Sequence, residues 1–405
     1  MPNPIVVIGA GQAAASFISR HVALGNRHPV LLIGDEPVPP YQRPPLSKKY
    51  MSGETGLERL FIRPAGWYAE QNVVTRFHTR VTHIKRDRQQ IETESGDRFD
   101  YHKLILCTGS SPRQLNADIG GALSGVFTLR NIADAEAIAT EFRPGRKLLI
   151  VGGGYIGLEA AAVARKFGLE VSLLEITERI LQRVAAPQTS DFFRLLHQKN
   201  GVEIHESTRL LRLNQTDRRV SSAELDNGET LPVDLVLVGI GSIPRADLAE
   251  RAGLDCDQGI LVNNTCQTSD PDIYAAGDCT RFMRNGQYIT LESVQNASDQ
   301  GDLIARLLNG EETSYNPQPW FWSDQYDCKL QIAGLSTGYT RTVLRPGAKP
   351  EGQSVWYYAQ EQLLAVDAMN DPLAYAMARK IISKGLHPNP HQIADLDFDL
   401  KSVIQ

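Results

Sequence analysis

No apolar run in the sequence approaches the roughly 18 residues that a membrane-spanning helix needs, so an integral membrane role has no support and membranes are not expected as partners. Cysteine is scarce. Cys107, Cys256, Cys266, Cys279 and Cys328 are five in number and widely scattered. No CxxC or CxxxxC spacing occurs among them, which removes a zinc or iron–sulfur site and a redox-active dithiol from the inventory; no resident metal is expected. An odd, dispersed set of thiols fits a reducing cytoplasm better than a disulfide framework, with each cysteine a small buried apolar residue. The net charge of −5 comes without a basic block or an aromatic-interleaved Lys/Arg stripe, which argues against nucleic acid. The first apolar stretch, residues 5–18, has no basic leader and is broken by Gly9, Gly11 and Gln12, so it reads as the start of a domain and not as a signal peptide.

What is present is the composition of a soluble globular protein, 42% hydrophobic and 22% charged over 405 residues, long enough for two or three cores. Residues 5–8 form an apolar run that leads into Gly9-Ala-Gly11-Gln-Ala13-Ala14, a helical stretch to about Leu24, a turn at Gly25-Asn26 and a second apolar run at 30–33. The grammar recurs at 147–151, then Gly152-Gly-Gly154-Tyr-Ile156-Gly157, a helix to about Phe167 and another strand at 171–174. Each is a βαβ unit. Buried strands alternating with helices predict an α/β fold of two doubly wound, parallel Rossmann-like domains. Two further strand-then-glycine segments, 104–109 and 235–241, bracket the second unit. It therefore reads as inserted in the first: a first domain at 1–111, a second, inserted one at 112–235, the first domain again at 236–316, ending in a helix at 304–308. From 317 to 405 alternating residues that include Trp320, Trp322 and Trp356–Tyr358, followed by a helix near 374–383, predict a C-terminal α+β domain.

A lone G-x-G-x-x-G carries little weight, but both copies follow a strand, open a helix and precede an acid at the end of the next strand. The first glycine permits the turn, the second lets the backbone approach a diphosphate, and the third small residue, Ala14 or Gly157, lets helix and strand pack closely. The diphosphate then meets a helix N-terminus, whose free N–H groups favour negative charge. Asp35 follows Ala14 by 21 residues and Glu175 follows Gly157 by 18, each placed to accept from ribose hydroxyls. A carboxylate at Glu175 would repel a 2′-phosphate, so NADH is expected over NADPH unless Arg179 or Arg183 folds back to receive it. A second flavin signature lies at Thr268–Cys279, where Gly277 allows close backbone and Asp278 would bond a ribityl hydroxyl. That assigns FAD to the first unit and NADH to the second.

Pro40-Tyr-Gln-Arg43-Pro-Pro-Leu-Ser-Lys48, Gly152–Glu159, Ala276–Cys279, Glu292-Ser-Val294-Gln-Asn296 and Pro319–Gln325 together resemble the oxygenase-coupled ferredoxin reductases. The resemblance runs through nearly the whole chain. It implies a glutathione-reductase-like arrangement with FAD-binding, NAD-binding and C-terminal domains, and a separate [2Fe-2S] ferredoxin that serves a cytochrome P450 or a ring-hydroxylating dioxygenase. Carried over by position, Gly9, Gly11, Ala13, Ala14, Asp35, Arg43, Lys48, Val81, Thr108, Gly109, Arg130, Gly277, Asp278 and Val294 are FAD contacts. Gly152, Gly154, Ile156, Gly157, Glu159, Glu175 and Gly241 are NAD contacts. Lys48 and Glu159 are the mechanistic pair expected. An ammonium near the flavin N5 stabilises electron density on the ring, and Glu159 pairs with it while holding the nicotinamide carboxamide. Trp322 is expected to cover the flavin and Trp320 to be packing.

With no cysteine cluster of its own, the chain must convert two electrons to one on the flavin. A monomer or weak dimer in the cytoplasm is expected. Two rivals remain at this level. A disulfide reductase of the same fold needs a cysteine near the flavin, where residues 47–48 offer serine and lysine. A redox-responsive flavoprotein that works by partner binding would carry targeting or extra basic segments, and none is present.

Overall fold

The computed structural model describes residues 2–25 and 28–404, so Asn26 of the expected turn lies outside the described residues. The chain divides into two compact units, each built on a βαβ motif.

The first unit comprises residues 1–43, 55–111 and 242–317. Its five-stranded sheet has the order Ile273–Ala275, Lys103–Leu106, Ile5–Ile8, Val30–Ile33, Val73–Arg76, parallel throughout. The central strand Ile5–Ile8 is buried at every position, as a strand covered on both faces must be. One face receives Phe17 and Ile18 of the helix Gln12–Ala23 with Leu303 and Ile304 of the helix Val294–Leu308. The other packs against two three-stranded sheets, one at residues 81–100 and one at 260–289. The two helices touch at a glycine: a Cβ on Gly301 would sit 2.3 Å from the Ala13 carbonyl oxygen.

The second unit comprises 44–54, 112–241 and 318–405. Its parallel sheet has the order Val202–His205, Glu170–Leu174, Lys147–Val151, Leu235–Val238, Val126–Thr128. The strand Leu235–Val238 pairs with Lys147–Val151 and with Val126–Thr128. The chain therefore returns to the first unit at Ser242, six residues beyond the 236 read from sequence, because the last strand before the return belongs to the inserted sheet. Residues 320–369 form a five-stranded antiparallel sheet. The helix Pro372–Ser383 covers it, burying Ala374, Met377, Ala378 and Ile381 at the 3–4 residue spacing of an amphipathic helix. Among the described residues no helix is long and apolar enough to cross a membrane.

Candidate active site

In the first unit Gly9 leaves the strand Ile5–Ile8 at φ +103°, and a Cβ there would lie 2.1 Å from the Cys107 carbonyl oxygen. Only glycine meets both demands. Gly11 caps the helix Gln12–Ala23 with no side-chain hydrogen bond to its first N–H groups, and a Cβ on it would meet no described atom within 4 Å. Unfilled donors and an open approach suit the diphosphate of a dinucleotide. Ala13 and Ala14 are buried in the first turn. Asp35 follows the next strand and is met by Arg245 at 3.1 Å and Arg80 at 4.0 Å, both through Oδ2. Val81 opens the strand Val81–Lys85. Thr108 Oγ1 donates to the Arg245 carbonyl at 2.6 Å, and the Gly109 carbonyl accepts from the Arg245 N–H at 2.9 Å.

Gly277 and Asp278 follow the strand Ile273–Ala275. The Gly277 N–H donates to Gln300 Oε1 at 2.7 Å, and Asp278 Oδ2 accepts from Ser110 at 3.2 Å. Val294 begins its helix behind the Ser293 cap. Arg43 pairs with Glu36 at 2.6 Å and lies over the Tyr41 ring. Gln300, buried completely, was not foreseen from sequence; a polar residue on the inner face of a helix is its only signal.

The second unit repeats the cradle. Gly152, at φ +110°, would place a Cβ 2.4 Å from the Gly239 carbonyl oxygen, Gly154 faces no described atom within 4 Å, and Gly157 would place a Cβ 2.2 Å from the Gly152 carbonyl oxygen. The helix Tyr155–Lys166 also starts without a side-chain cap, and these residues likewise fit a dinucleotide. Ile156 is 52% exposed in its first turn. Glu175 is held through backbone: Oε2 accepts from the Gly153 N–H at 2.8 Å and Oε1 from the Thr177 N–H at 2.8 Å. Arg179 is bonded to Ser190, and Arg183 lies beside Gly241, whose carbonyl accepts from the Arg113 N–H at 2.9 Å.

Lys48 and Arg130, expected around FAD, also belong to the second unit. Arg130 precedes the capping box of the helix Ile132–Glu141, its N–H donating to Asp134 at 2.8 Å. Lys48 Nζ lies 3.0 Å from Glu159 Oε1 and 3.8 Å from Asp324 Oδ2. Glu159 is buried, and two serines donate to it, Ser47 to Oε2 and Ser323 to Oε1, each at 2.7 Å. Burial pushes its carboxyl above the usual range, against the pull of Lys48 and both hydroxyls. A buried carboxylate tolerates its charge only with partners of this kind. Trp322 stacks on Trp320, centroids 5.5 Å apart, and both are half-buried, so packing does not set one apart from the other.

All five cysteines are free, and four are buried. Burial pushes the Cys107, Cys266 and Cys279 thiols up, with Cys256 raised to about 11 and Cys328 to about 12. None is poised as a thiolate nucleophile at neutral pH.

Residues 3–301 match the pyridine nucleotide-disulphide oxidoreductase family and residues 320–404 match the reductase C-terminal family. The chain is 39% identical to putidaredoxin reductase CamA of Pseudomonas putida, over 99% of this chain and 96% of that protein. It is 38% identical to rhodocoxin reductase of Rhodococcus erythropolis, over 99% and 94%. The crystal structure of the ferredoxin reductase for the CYP199A2 system from Rhodopseudomonas palustris superposes with a TM-score of 0.96 at 35% identity, covering 100% of both chains.

Proposed function

From the premise that this chain belongs to the pyridine nucleotide-disulphide oxidoreductase family, in its ferredoxin-reductase branch, we propose that its electron acceptor is a [2Fe-2S] ferredoxin feeding a cytochrome P450 or a ring-hydroxylating dioxygenase. The enzyme is an FAD-dependent oxidoreductase that carries electrons from NADH to a ferredoxin. We place it in the cytoplasm, as a monomer or weak dimer, with three domains in the order FAD-binding, NAD-binding and C-terminal.

The observation that carries the site reading is the Lys48–Glu159 contact, 3.0 Å between a half-buried ammonium and a buried carboxylate on a glycine-framed helix. The first glycine cradle would hold FAD, which when bound would supply the capacity for hydride acceptance and one-electron donation that side chains lack. Lys48 holds a fixed positive charge where negative charge builds up, and Glu159 holds the ammonium in place and accepts from the nicotinamide carboxamide. Ser47 and Ser323 fix the carboxylate, so little reorganisation accompanies the change in charge. The glycine cradles and the acids Asp35 and Glu175 bind and orient the two dinucleotides. Trp322 limits water. A cysteine-based reduction gains no support from thiols whose burial disfavours the thiolate.

Lys48→Ala separates chemistry from binding. NADH-driven flavin reduction in stopped flow is expected to slow on the order of 100-fold or more, as for loss of one preorganised charge contact, while FAD retention changes only a few-fold. Reduction at the wild-type rate would defeat the assignment.

A further inference from the structure

Glu159 does not end at its immediate partners. Ser323 Oγ lies 2.7 Å from Glu159 Oε1, Gln325 Nε2 lies 3.1 Å from Ser323 Oγ, Gln325 Oε1 lies 2.8 Å from His197 Nε2, and His197 Nδ1 lies 3.3 Å from the Tyr326 hydroxyl. Ser323, Gln325 and His197 are all fully buried. They join the strand Trp320–Gln325 to the helix Pro187–Lys199 inside the second unit.

The direction of every proton in this chain follows from its first member. An ionised carboxylate only accepts, so the single Ser323 proton points to Glu159, and Ser323 Oγ must in turn accept. That places the Gln325 amide nitrogen toward the serine and its oxygen toward His197, which then carries its proton on Nε2. Burial lowers His197 to about 4, so the ring is neutral near pH 7 and Nδ1 accepts from Tyr326. Four donors point one way, toward Glu159. Hydrogen bonds aligned in this manner polarise one another, and such a chain favours the charged form of the acid at its end.

We propose that Ser323, Gln325 and His197 are positioning residues that hold Glu159 ionised and its Oε1 oriented toward Lys48. The importance of this chain for the reaction rests on the reading of Glu159 given above; its existence as an electrostatic unit does not. The other groups around Glu159 are Lys48 and Ser47 from the segment before it, Tyr155 one turn earlier on its own helix, and Asp324 acting through Lys48. Asp367, whose charge is felt at Tyr155, is spent on Tyr357 and Thr189. Of these only Lys48 also donates to Oε1, at 3.0 Å, so loss of Ser323 would leave that oxygen with one of its two donors.

The sign is fixed. Removing a donor to the ionised form favours the neutral carboxyl, so its titration moves to higher pH. Infrared spectroscopy of the oxidised holoenzyme without NADH reads this directly, the Glu159 carboxylic-acid band being the one that Glu159→Gln removes. In Ser323→Ala, a near-isosteric change, that band is expected at a pH about one unit above wild type, the scale of one hydrogen bond to a charged group. Gln325→Met, which keeps the volume and loses the donor, is expected to move it the same way by less. Titration coincident with wild type in Ser323→Ala overturns the proposal. A shift in Ser323→Ala with none in a folded Gln325→Met also overturns it, by confining the effect to one serine. Because no NADH is present, the result stands apart from the Lys48→Ala kinetics: normal flavin reduction there sinks the reading of the pair without touching this titration.

Discussion

The two glycine cradles follow one plan and differ in two places. In both, the first glycine has positive φ and is pressed against the carbonyl of a neighbouring segment, Cys107 for Gly9 and Gly239 for Gly152, while the second leaves an open approach to the helix N-terminus. The third position is Ala14 in the first unit, buried without strain, but Gly157 in the second, where a methyl would lie 2.2 Å from the Gly152 carbonyl oxygen. The acids differ as well. Asp35 is met by two arginines, whereas Glu175 is satisfied by backbone N–H groups and the Thr177 hydroxyl. The glycine–acid spacing is thus common property, and the surroundings of the two acids are what differ. An arginine beside an acid offsets its charge, whereas the hydrogen bonds on Glu175 come from neutral groups and leave its net negative charge in place.

The largest effect expected from this contrast is on Gly157→Ala. Its methyl would strike a backbone carbonyl and not the end of a flexible side chain, so the loop must deform. Overpacking of this kind costs ~1–3 kcal/mol, which corresponds to about 5–150-fold weaker NADH binding. The first unit is untouched, so FAD content per chain should equal that of wild type. NADH titration together with the flavin absorbance checks both halves, and unchanged NADH affinity would mean that the third position is not what distinguishes the cradles.

Both cradles were legible in the sequence because each is local: strand, glycines, helix and acid fall within a few tens of residues, and the periodicity changes visibly from one element to the next. The boundary at Ser242 was not. The run 235–241 has the same strand-then-glycine form as 104–109, and an apolar run does not say which sheet it joins. Lys48 and Glu159 came from resemblance alone, since nothing local marks a lysine as the partner of a carboxylate more than a hundred residues away. The supports of Glu159 were invisible for the same reason. Ser47, Ser323 and His197 reach their partners across 112, 164 and 128 residues, and their chemistry depends on a burial that only the folded sheet supplies.

A smaller effect is expected at the acid of the second unit. Glu175→Gln removes the charge but keeps the shape, and an NH2 group then replaces one of the two oxygens that accept separately from the Gly153 and the Thr177 N–H groups. NADH should therefore bind somewhat less tightly, while NADPH no longer meets a carboxylate. The preference for NADH over NADPH is expected to fall by about tenfold, the equivalent of ~1.4 kcal/mol. Steady-state kinetics with both nucleotides measures the ratio. A wild-type enzyme that prefers NADPH would reverse the argument from Glu175, and an unaltered ratio in the variant would remove the charge from it.

The smallest effect belongs to the mirror substitution, Ala14→Gly, which makes the first cradle resemble the second. The helix Gln12–Ala23 loses its best helix former near the N-terminus for its worst ordinary one, at ~1 kcal/mol, and a fully buried methyl is lost, at roughly a further 0.8 kcal/mol. No backbone contact is created or relieved, because at this position the carbonyl clash found at Gly157 has no counterpart. The variant should keep its flavin and unfold in urea at a modestly lower concentration, with the slope unchanged. Tighter FAD binding in Ala14→Gly would show that the alanine strains the first cradle after all, and that the two sites differ in degree where the comparison holds them to differ in kind.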